Sequence, residues 1–436
     1  MGSGPHAESS AARRPGEGRS PRVVVVGAGA AGTMAAIFAA SGGARTTLLE
    51  RTPDGGRKIL ISGGGRCNIL PARLDESRFV TDSSRNTLRK IVRSWPLAEQ
   101  RLFFESELGI ELVEEAATGK LFPASNRARD VRDGLLALAV RRGARILTNS
   151  LVTAIAPLAD GTWRVILAEG EPIDCDAVII ATGGLSVPAT GSDGRGLTML
   201  SELGHAMHPT YAALTPVTAD PAPFAGLAGV SLGVTITATG GGRTATASGG
   251  FLFTHRGYSG PSVLDVSHVV VRSADEGAEP PARLTVRWAP LDDAAWEEAL
   301  RPSGTRTVAG AVRAEMPDRL ASALIGRAGV DPARLLAELR RDERRALIDV
   351  LVRGDLPWSG NEGYRKAEVT GGGVSLADVD PKTMESRVRP GLYLCGEVLD
   401  AFGPIGGYNF LWAWATGRAA GIGASRTGSG PRQQQP

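Results

Sequence analysis

The apolar positions along the chain follow two rhythms. After an opening rich in Gly, Pro, Ser and Arg, residues 22–26 (RVVVV) are a short β-branched run. Glycines follow, then the alanine-rich stretch TMAAIFAA, then TTLLE, which ends at Glu50. Short β-branched runs read as strands and longer amphipathic or alanine-rich runs as helices, so this stretch is one β–α–β unit of about 30 residues. In residues 130–142, Val131, Leu135, Leu138 and Ala139 share one helical face. Strands are expected in ARILTNSLVTAIAP, TWRVILAEG and DAVIIATGG. The last is a near-continuous apolar run ending in glycines, as a strand buried on both faces should be.

The texture changes after about residue 190. Residues 207–290 are rich in Thr, Gly and β-branched residues, and SLGVTITAT, GGFLFTH and ARLTVRWAP predict a small antiparallel barrel or sandwich. Residues 291–352 turn helical. From about 360 glycine returns, VRPGLYLCGE predicts another buried strand, and FLWAWATGRAAGIGA the last helix. The expected organisation is an α/β nucleotide-binding domain built from residues 21–190 and 355–425. A β-rich insertion (191–290) and a helical cap (291–354) interrupt it, and disordered tails are expected at 1–20 and 426–436.

Composition narrows the classes. A chain of 436 residues exceeds the size at which one core keeps growing, so several domains are expected. With 42% hydrophobic and 22% charged residues, wholesale disorder is excluded. Basic and acidic residues nearly balance (49 against 46), and a net charge of +3 does not by itself argue for nucleic acid. Cys67, Cys175 and Cys395 are far apart and form no C-x-x-C pair, which excludes a disulfide framework or zinc ribbon and fits a reducing compartment. No metal is expected. No apolar run reaches the ~18 residues of a membrane span. The first twenty residues hold no apolar signal core, so a cytoplasmic protein without membrane contact is expected.

The first chemical motif is Gly27-Ala28-Gly29-Ala30-Ala31-Gly32, between the valine run and its helix. Gly27 suits the tight turn, Gly29 a close backbone approach to a pyrophosphate, Gly32 close helix–strand packing, and the helix N-terminus stabilises phosphate charge. Glu50, 18 residues past Gly32, is placed to accept from both hydroxyls of an adenosine ribose. The carboxylate is expected to contribute roughly 1.5–3 kcal/mol to cofactor binding. NAD and FAD both suit such a turn. Two further strand ends decide between them: Ala181-Thr182-Gly183-Gly184, and Gly396-Glu397 with Asp400 before the turn GPIGGYN. Three glycine-lined strand ends around one nucleotide suit an extended FAD, and the final helix can aim its N-terminus at an electron-accepting ring.

Three longer stretches carry a resemblance. GRKILISGGGRCN (56–68), THRGYSGPSVLDVS (254–267) and VTGGGV…MESRVRPGLYLCGEVLDAFGPIGGYNF (369–410) resemble the BaiN/YhiN-like flavoproteins. These belong to the glutathione-reductase-type FAD enzymes, a group that also contains fumarate reductase. The resemblance runs from about Val23 to Gly421 and implies a Rossmann FAD domain with an inserted β-barrel and a helical cap. It implies that Gly27, Ala28, Gly29, Ala31 and Gly32 hold the pyrophosphate, Glu50 the ribose, and Val152 the adenine, with Arg57 and Lys58 by the phosphates. Ser62, Gly63, Gly64 and Gly65 would wrap toward the flavin, with Arg66, Cys67 and Asn68 at the ring edge. Gly183, beside Ala181 and Thr182, would close a second contact, and Gly396, Glu397, Asp400, Gly407, Tyr408 and Asn409 would meet the ribityl chain and ring. One departure is Ala401-Phe402, where relatives often carry Val and an acidic residue.

Two residues are candidates for handling a proton. Cys67 is the one cysteine in a basic, glycine-rich loop, where a lowered pKa is expected, against the alternative of a small packing residue. His255 lies in the THRGYSGP turn that the family motif places near the cleft. Lys58 or Arg66 would stabilise negative charge on a reduced flavin. Cys175 and Cys395 read as core thiols, Trp412 and Trp414 as packing residues, and the arginines at 127, 129, 132, 141, 142 and 145 as solvated helix faces or an RNA contact. The expected function is an FAD-dependent oxidoreductase driven by NAD(P)H that reduces a conjugated ring C=C. A uridine of 23S ribosomal RNA ranks ahead of a bile-acid or steroid enone. An aminoacetone-type amine oxidase and a non-catalytic FAD-binding protein are the alternatives.

Overall fold

The structure, a computed structural model, describes residues 20–427. Apart from Ser20, Arg426 and Thr427, the expected tails lie outside the described residues. The central layer is a five-stranded parallel sheet ordered Leu392–Leu394, Ala177–Ile180, Arg22–Val26, Arg45–Leu49 and Arg145–Leu147. Arg22–Val26 lies at its centre, which is why its four valines are all buried rather than alternating with polar residues. The helix Ala30–Ser41 follows the first strand and packs against the last helix, Tyr408–Ser425. A Cβ at Gly417 would lie 2.3 Å from the Ala31 carbonyl oxygen, and one at Gly421 2.3 Å from that of Ala35, so only glycine allows this approach. The first and last described segments therefore share one hydrophobic core.

A second core lies between residues 217 and 356. Seven antiparallel strands run in the order Gly354–Asp355, Arg283–Arg287, Ser231–Gly240, Arg243–Thr254, Gly257–Ser259, Val217–Thr218 and Gly360–Asn361. Laid flat, such a sheet would separate its edge strands by about 29 Å. The five residue steps from Asp355 to Gly360 reach at most about 18 Å, so the sheet must curl into a barrel. Phe251, Phe253, Tyr258 and Trp288 are buried together and pack ring against ring. The helices Asp293–Ala299, Val308–Val312, Asp318–Arg327 and Arg341–Arg353 add to this core.

One element departs from the strand-rich texture expected at 207–290. Pro261–Asp275 is a 15-residue helix packed on the barrel strands. Its valines favour strands locally, but Pro261 at the first helical position presets the backbone and burial of Val263, Val266, Val269 and Val270 outweighs the propensity. The chain enters and leaves this second body through one antiparallel ribbon, Met207–Ala213 against Val369–Val374. Among the described residues no helix is long and apolar enough to cross a membrane.

Candidate active site

A groove of about 590 Å³ runs along the C-terminal ends of the parallel strands, within the range of small-molecule sites. At one end Gly27 takes φ +101°, and a Cβ there would fall 2.7 Å from the Ala181 carbonyl oxygen. A Cβ on Gly32 would fall 1.8 Å from the Gly27 oxygen, so this glycine closes the turn without reaching the groove. Gly29 differs: a Cβ there meets nothing within 4 Å, because its Cα faces the open groove. Glu50 is aimed by three hydrogen bonds, from the amides of Ala28 (2.9 Å) and Thr52 (2.8 Å) and the Thr52 hydroxyl (2.7 Å). It lines the groove with Ser150, Leu151 and Val152. A carboxylate fixed this way is pre-oriented for ribose hydroxyls.

The middle of the groove is a loop of left-handed backbone. Gly63, Gly64, Gly65 and Cys67 all take positive φ (+56°, +68°, +85° and +62°), and a Cβ on Gly64 would stand in open space. Ser62, Gly63, Gly64, Arg66 and Asn68 line the wall, as do Arg57 and Lys58. With its amide oriented to suit its neighbours, Asn68 donates to the Leu70 carbonyl (3.2 Å) and accepts from the Gly407 amide (3.0 Å), tying this loop to the last glycine turn. Across the groove lie Ala181, Thr182, Gly183, Gly396, Glu397, Gly407 and Asn409. The Asn409 amide clamps both the N–H and the C=O of Gly403 at 2.9 Å.

Lys58 and Glu397 form an ion pair (2.6 Å) that also holds the Ser186 hydroxyl, which accepts from Lys58 (2.7 Å) and donates to Glu397 (2.6 Å). The Thr370 amide donates to the same carboxylate at 2.9 Å. Burial opposes ionisation of Glu397, but Lys58 and these donors outweigh it and hold the carboxyl below its usual range. Arg66 pairs with Glu115 (3.0 Å) and stacks 4.0 Å over Phe122. Both cations thus line the groove already paired with a carboxylate of the protein.

Several expected site residues are not part of the groove wall. Ala28 is fully buried and offers its amide to Glu50, and Gly65 turns away with the loop. Asp400 is 2% exposed and knots a neighbouring segment, accepting from the Thr81 and Ser83 hydroxyls and the Asp82 and Ser83 amides. Tyr408 packs edge-on against Phe79, and its hydroxyl bonds the Asp75 amide and the Arg73 carbonyl. Both proton-handling candidates are corrected. Cys67 is fully buried, and desolvation raises its thiol pKa to about 12, the reverse of the lowered value expected from the basic loop. His255 sits exposed at the tip of the barrel hairpin, outside the groove wall. Arg132, expected on a solvated face, is buried against Asp54, Asp133 and the Gly55 carbonyl.

Sequence reasoning missed the far end of the groove. Pro261, Leu264, Phe402 and Ile405 form an apolar chamber there, with Lys120 and Glu368 as its ionisable residues. These positions come from four separate stretches of chain, and although Pro261, Leu264, Phe402 and Ile405 fall inside two of the family-like stretches, nothing in the sequence marked them as walls of one chamber. Phe402, the departure noted above, is one of its walls.

A groove of this kind, with backbone turns at three strand ends, an anchored ribose carboxylate and room left beyond the phosphates, belongs to an FAD-dependent oxidoreductase. Residues 21–423 match the HI0933-like protein Rossmann domain family, and the chain belongs to that family. It is similar to the 3-dehydro-bile acid delta(4,6)-reductase of Clostridium scindens, 32% identical over 413 residues, covering 93% of this chain and 99% of that protein. It is similar to the ribosomal RNA dihydrouridine synthase of Escherichia coli, 32% identical over 400 residues, covering 90% of this chain and 95% of that protein. Its fold is that of the 3-ketosteroid delta1-dehydrogenase from Sterolibacterium denitrificans, with a TM-score of 0.53 at 12% identity, covering 93% of this chain and 99% of that one.

Proposed function

We propose that the protein reduces a conjugated C=C bond within a ring, in the cytoplasm, using NADH or NADPH as electron donor. A uridine of ribosomal RNA is the first-choice substrate and a polycyclic enone of the bile-acid type the second. The observation that carries this reading is the continuity of the groove, which passes from the Glu50 anchor into the apolar chamber without a wall between them. FAD, when bound, supplies transfer of two electrons and a hydrogen to the ring carbon. Glu50 holds its ribose, the Gly27–Gly32 turn and Arg57 its phosphates, and the Lys58–Glu397–Ser186 clamp the segment between. The apolar chamber orients the acceptor.

Two names among the relatives support the substrate class, since dihydrouridine synthesis and delta(4,6) reduction both saturate a ring C=C conjugated to a carbonyl. The order of preference rests on exposed Arg127 and Arg129, which flank the outer side of the Leu60–Gly65 loop whose inner side lines the groove. Cations at the rim suit a phosphate backbone. NAD(P)H is read as a transient visitor, because the chain holds no second intact G-x-G-x-x-G turn.

The test is anaerobic bleaching of the yellow holoprotein by NADPH or NADH, followed by reoxidation with ribosomal RNA lacking dihydrouridine, a 4,6-dien-3-oxo steroid, or oxygen with aminoacetone. Reoxidation by either ring acceptor is expected. Reoxidation only by oxygen, with peroxide formed from aminoacetone, would replace the reading with an amine oxidase. A flavin that no nicotinamide bleaches would point to a non-catalytic FAD-binding protein.

A further inference from the structure

Lys120 and Glu368 are the two charged residues of the far chamber to which nothing above gives a task. Lys120 opens the strand Lys120–Pro123, and Glu368 immediately precedes the strand Val369–Val374. The fold brings both to the groove wall, Lys120 beside Gly406. A Cβ on Gly406 would lie 3.8 Å from Lys120 Cε and 3.9 Å from its Cγ, so the lysine stem runs along the glycine turn toward the chamber. The backbone of Glu368 is fixed at both ends: its amide donates to the Leu214 carbonyl (3.1 Å), and its carbonyl accepts from the Ser186 hydroxyl (3.3 Å). That serine belongs to the Lys58–Glu397 clamp, so the carboxyl is built onto the same frame that lines the middle of the groove.

Both functional groups are held in reserve. Among the described residues, neither Lys120 Nζ nor the Glu368 carboxyl makes a hydrogen bond or a short ion pair. Other ionisable residues of the groove wall are already engaged: Lys58 with Glu397, Arg66 with Glu115, Arg57 with Asp54, and Arg51 with Asp193. Glu368 is an exposed residue open to the groove, although protein is dense around its carboxyl. Burial favours its neutral form and raises its pKa, with the Lys120 charge acting the other way. Glu115, the cross-strand neighbour of Lys120, also feels its charge but is taken by Arg66 (3.0 Å), and a further carboxyl in this field is Asp265. It lies off the groove wall, accepts from the Ile405 amide (2.7 Å) and is approached by Arg78 (3.4 Å).

We propose that Lys120 and Glu368 are the substrate-side catalytic pair, Lys120 binding the carbonyl oxygen of the conjugated system and Glu368 supplying the proton that its reduction requires. The assignment rests on the reductase reading above. Saturating C=C–C=O takes one hydride and one proton. As the hydride forms a bond to the β carbon, the C=C electron pair moves toward the carbonyl, and the enolate oxygen faces the Lys120 ammonium. The Glu368 O–H bond then breaks and its proton joins the α carbon. The carbonyl re-forms, and the carboxylate left on Glu368 regains a proton from water. The hydride, which carries both electrons, would come from the bound cofactor, whose reduced form the nicotinamide donor restores.

The test uses FAD-loaded full-length protein, wild type, Glu368→Gln, Glu368→Asp and Lys120→Met, with flavin content and thermal midpoint measured for each. The acceptors are the 4,6-dien-3-oxo steroid and the RNA lacking dihydrouridine. Glu368→Gln is expected to slow reoxidation about 100-fold, the usual weight of a general acid. It is also expected to abolish the loss of rate that wild type shows as pH rises through the carboxyl pKa. Glu368→Asp should restore part of both. Lys120→Met is expected to raise KM and lower kcat together.

A readout free of turnover is infrared titration of the cofactor-free proteins. The protonated-carboxyl band that Glu368→Gln removes should titrate above the ordinary glutamate range in wild type, and higher still in Lys120→Met. If wild type reoxidises with neither ring acceptor, the reductase reading fails and the pair's role falls with it. If wild type does reoxidise while Glu368→Gln keeps more than a tenth of its rate with an unchanged pH profile, the pair alone is overturned. An infrared band unmoved by Lys120→Met overturns the pairing whatever the rates.

Discussion

At the phosphate end of the groove the walls are backbone, and at the far end they are side chains. The phosphate end is written in one stretch of sequence, where Gly27, Gly29 and Gly32 each do a different steric job and Glu50 follows at the end of the next strand. The far end draws Lys120, Leu264, Glu368 and Phe402 from four separate segments spread over most of the chain. A dinucleotide presents the same phosphates and ribose in any enzyme, so a fixed backbone mould serves. A substrate chamber needs shape and proton chemistry, which only side chains supply, and those positions can change without disturbing the mould.

Changes at the mould should therefore be felt in folding and cofactor content. The largest effect is expected for Gly32→Ala, whose methyl would meet the Gly27 carbonyl oxygen at 1.8 Å. The turn must open, costing more than about 3 kcal/mol, and purified protein should lack the blue absorbance of bound flavin. Lys58→Met comes next, because it strands the Glu397 carboxylate. Its expected cost is about 2 kcal/mol in urea unfolding, below the figure for fully buried pairs since Lys58 keeps a side-chain exposure of 26%. Restoration of stability by adding Glu397→Gln would tie the cost to the pair.

A pH-dependent effect is expected next to the chamber. Burial raises the Asp265 pKa from 3.8 to about 6. A folded pKa above the unfolded one means the native state holds the proton more tightly. Its contribution is full below pH 3.8 and is lost as pH rises through about 6. Asp265→Asn should therefore gain stability relative to wild type across that window, by up to about 3 kcal/mol. A difference in unfolding midpoint that stays flat with pH would remove that account. Smallest of all, Cys67→Ala and His255→Ala should each leave the reoxidation rate within about twofold of wild type, the first because its thiol is sealed in the core and the second because its ring is in solvent.

The sequence made the parallel sheet legible because a central strand covered on both faces cannot alternate, and the four valines at 23–26 do not. GRKILISGGGRCN was legible because backbone with positive φ at three successive positions calls for glycine. What failed was direction. Asp400 and Tyr408 stand beside a glycine turn that does reach the groove, yet their side chains point into the body of the protein. Cys67 lies among basic residues in sequence but beneath them in space, and burial reversed the expected shift of its thiol. The helix Pro261–Asp275 was hidden by its valines, whose strand preference yielded to packing on the barrel.

Residues 214–368 leave and rejoin the nucleotide-binding body side by side, since Ala213 pairs with Val369. A segment entered and left at neighbouring points can be replaced like a cassette, with two splice points and no rethreading of the sheet. Glu368 stands at the very seam of that cassette and Leu264 within it, whereas Lys120 stays with the host. Exchanging the cassette between relatives would thus swap half of the chamber while leaving the cofactor groove in place.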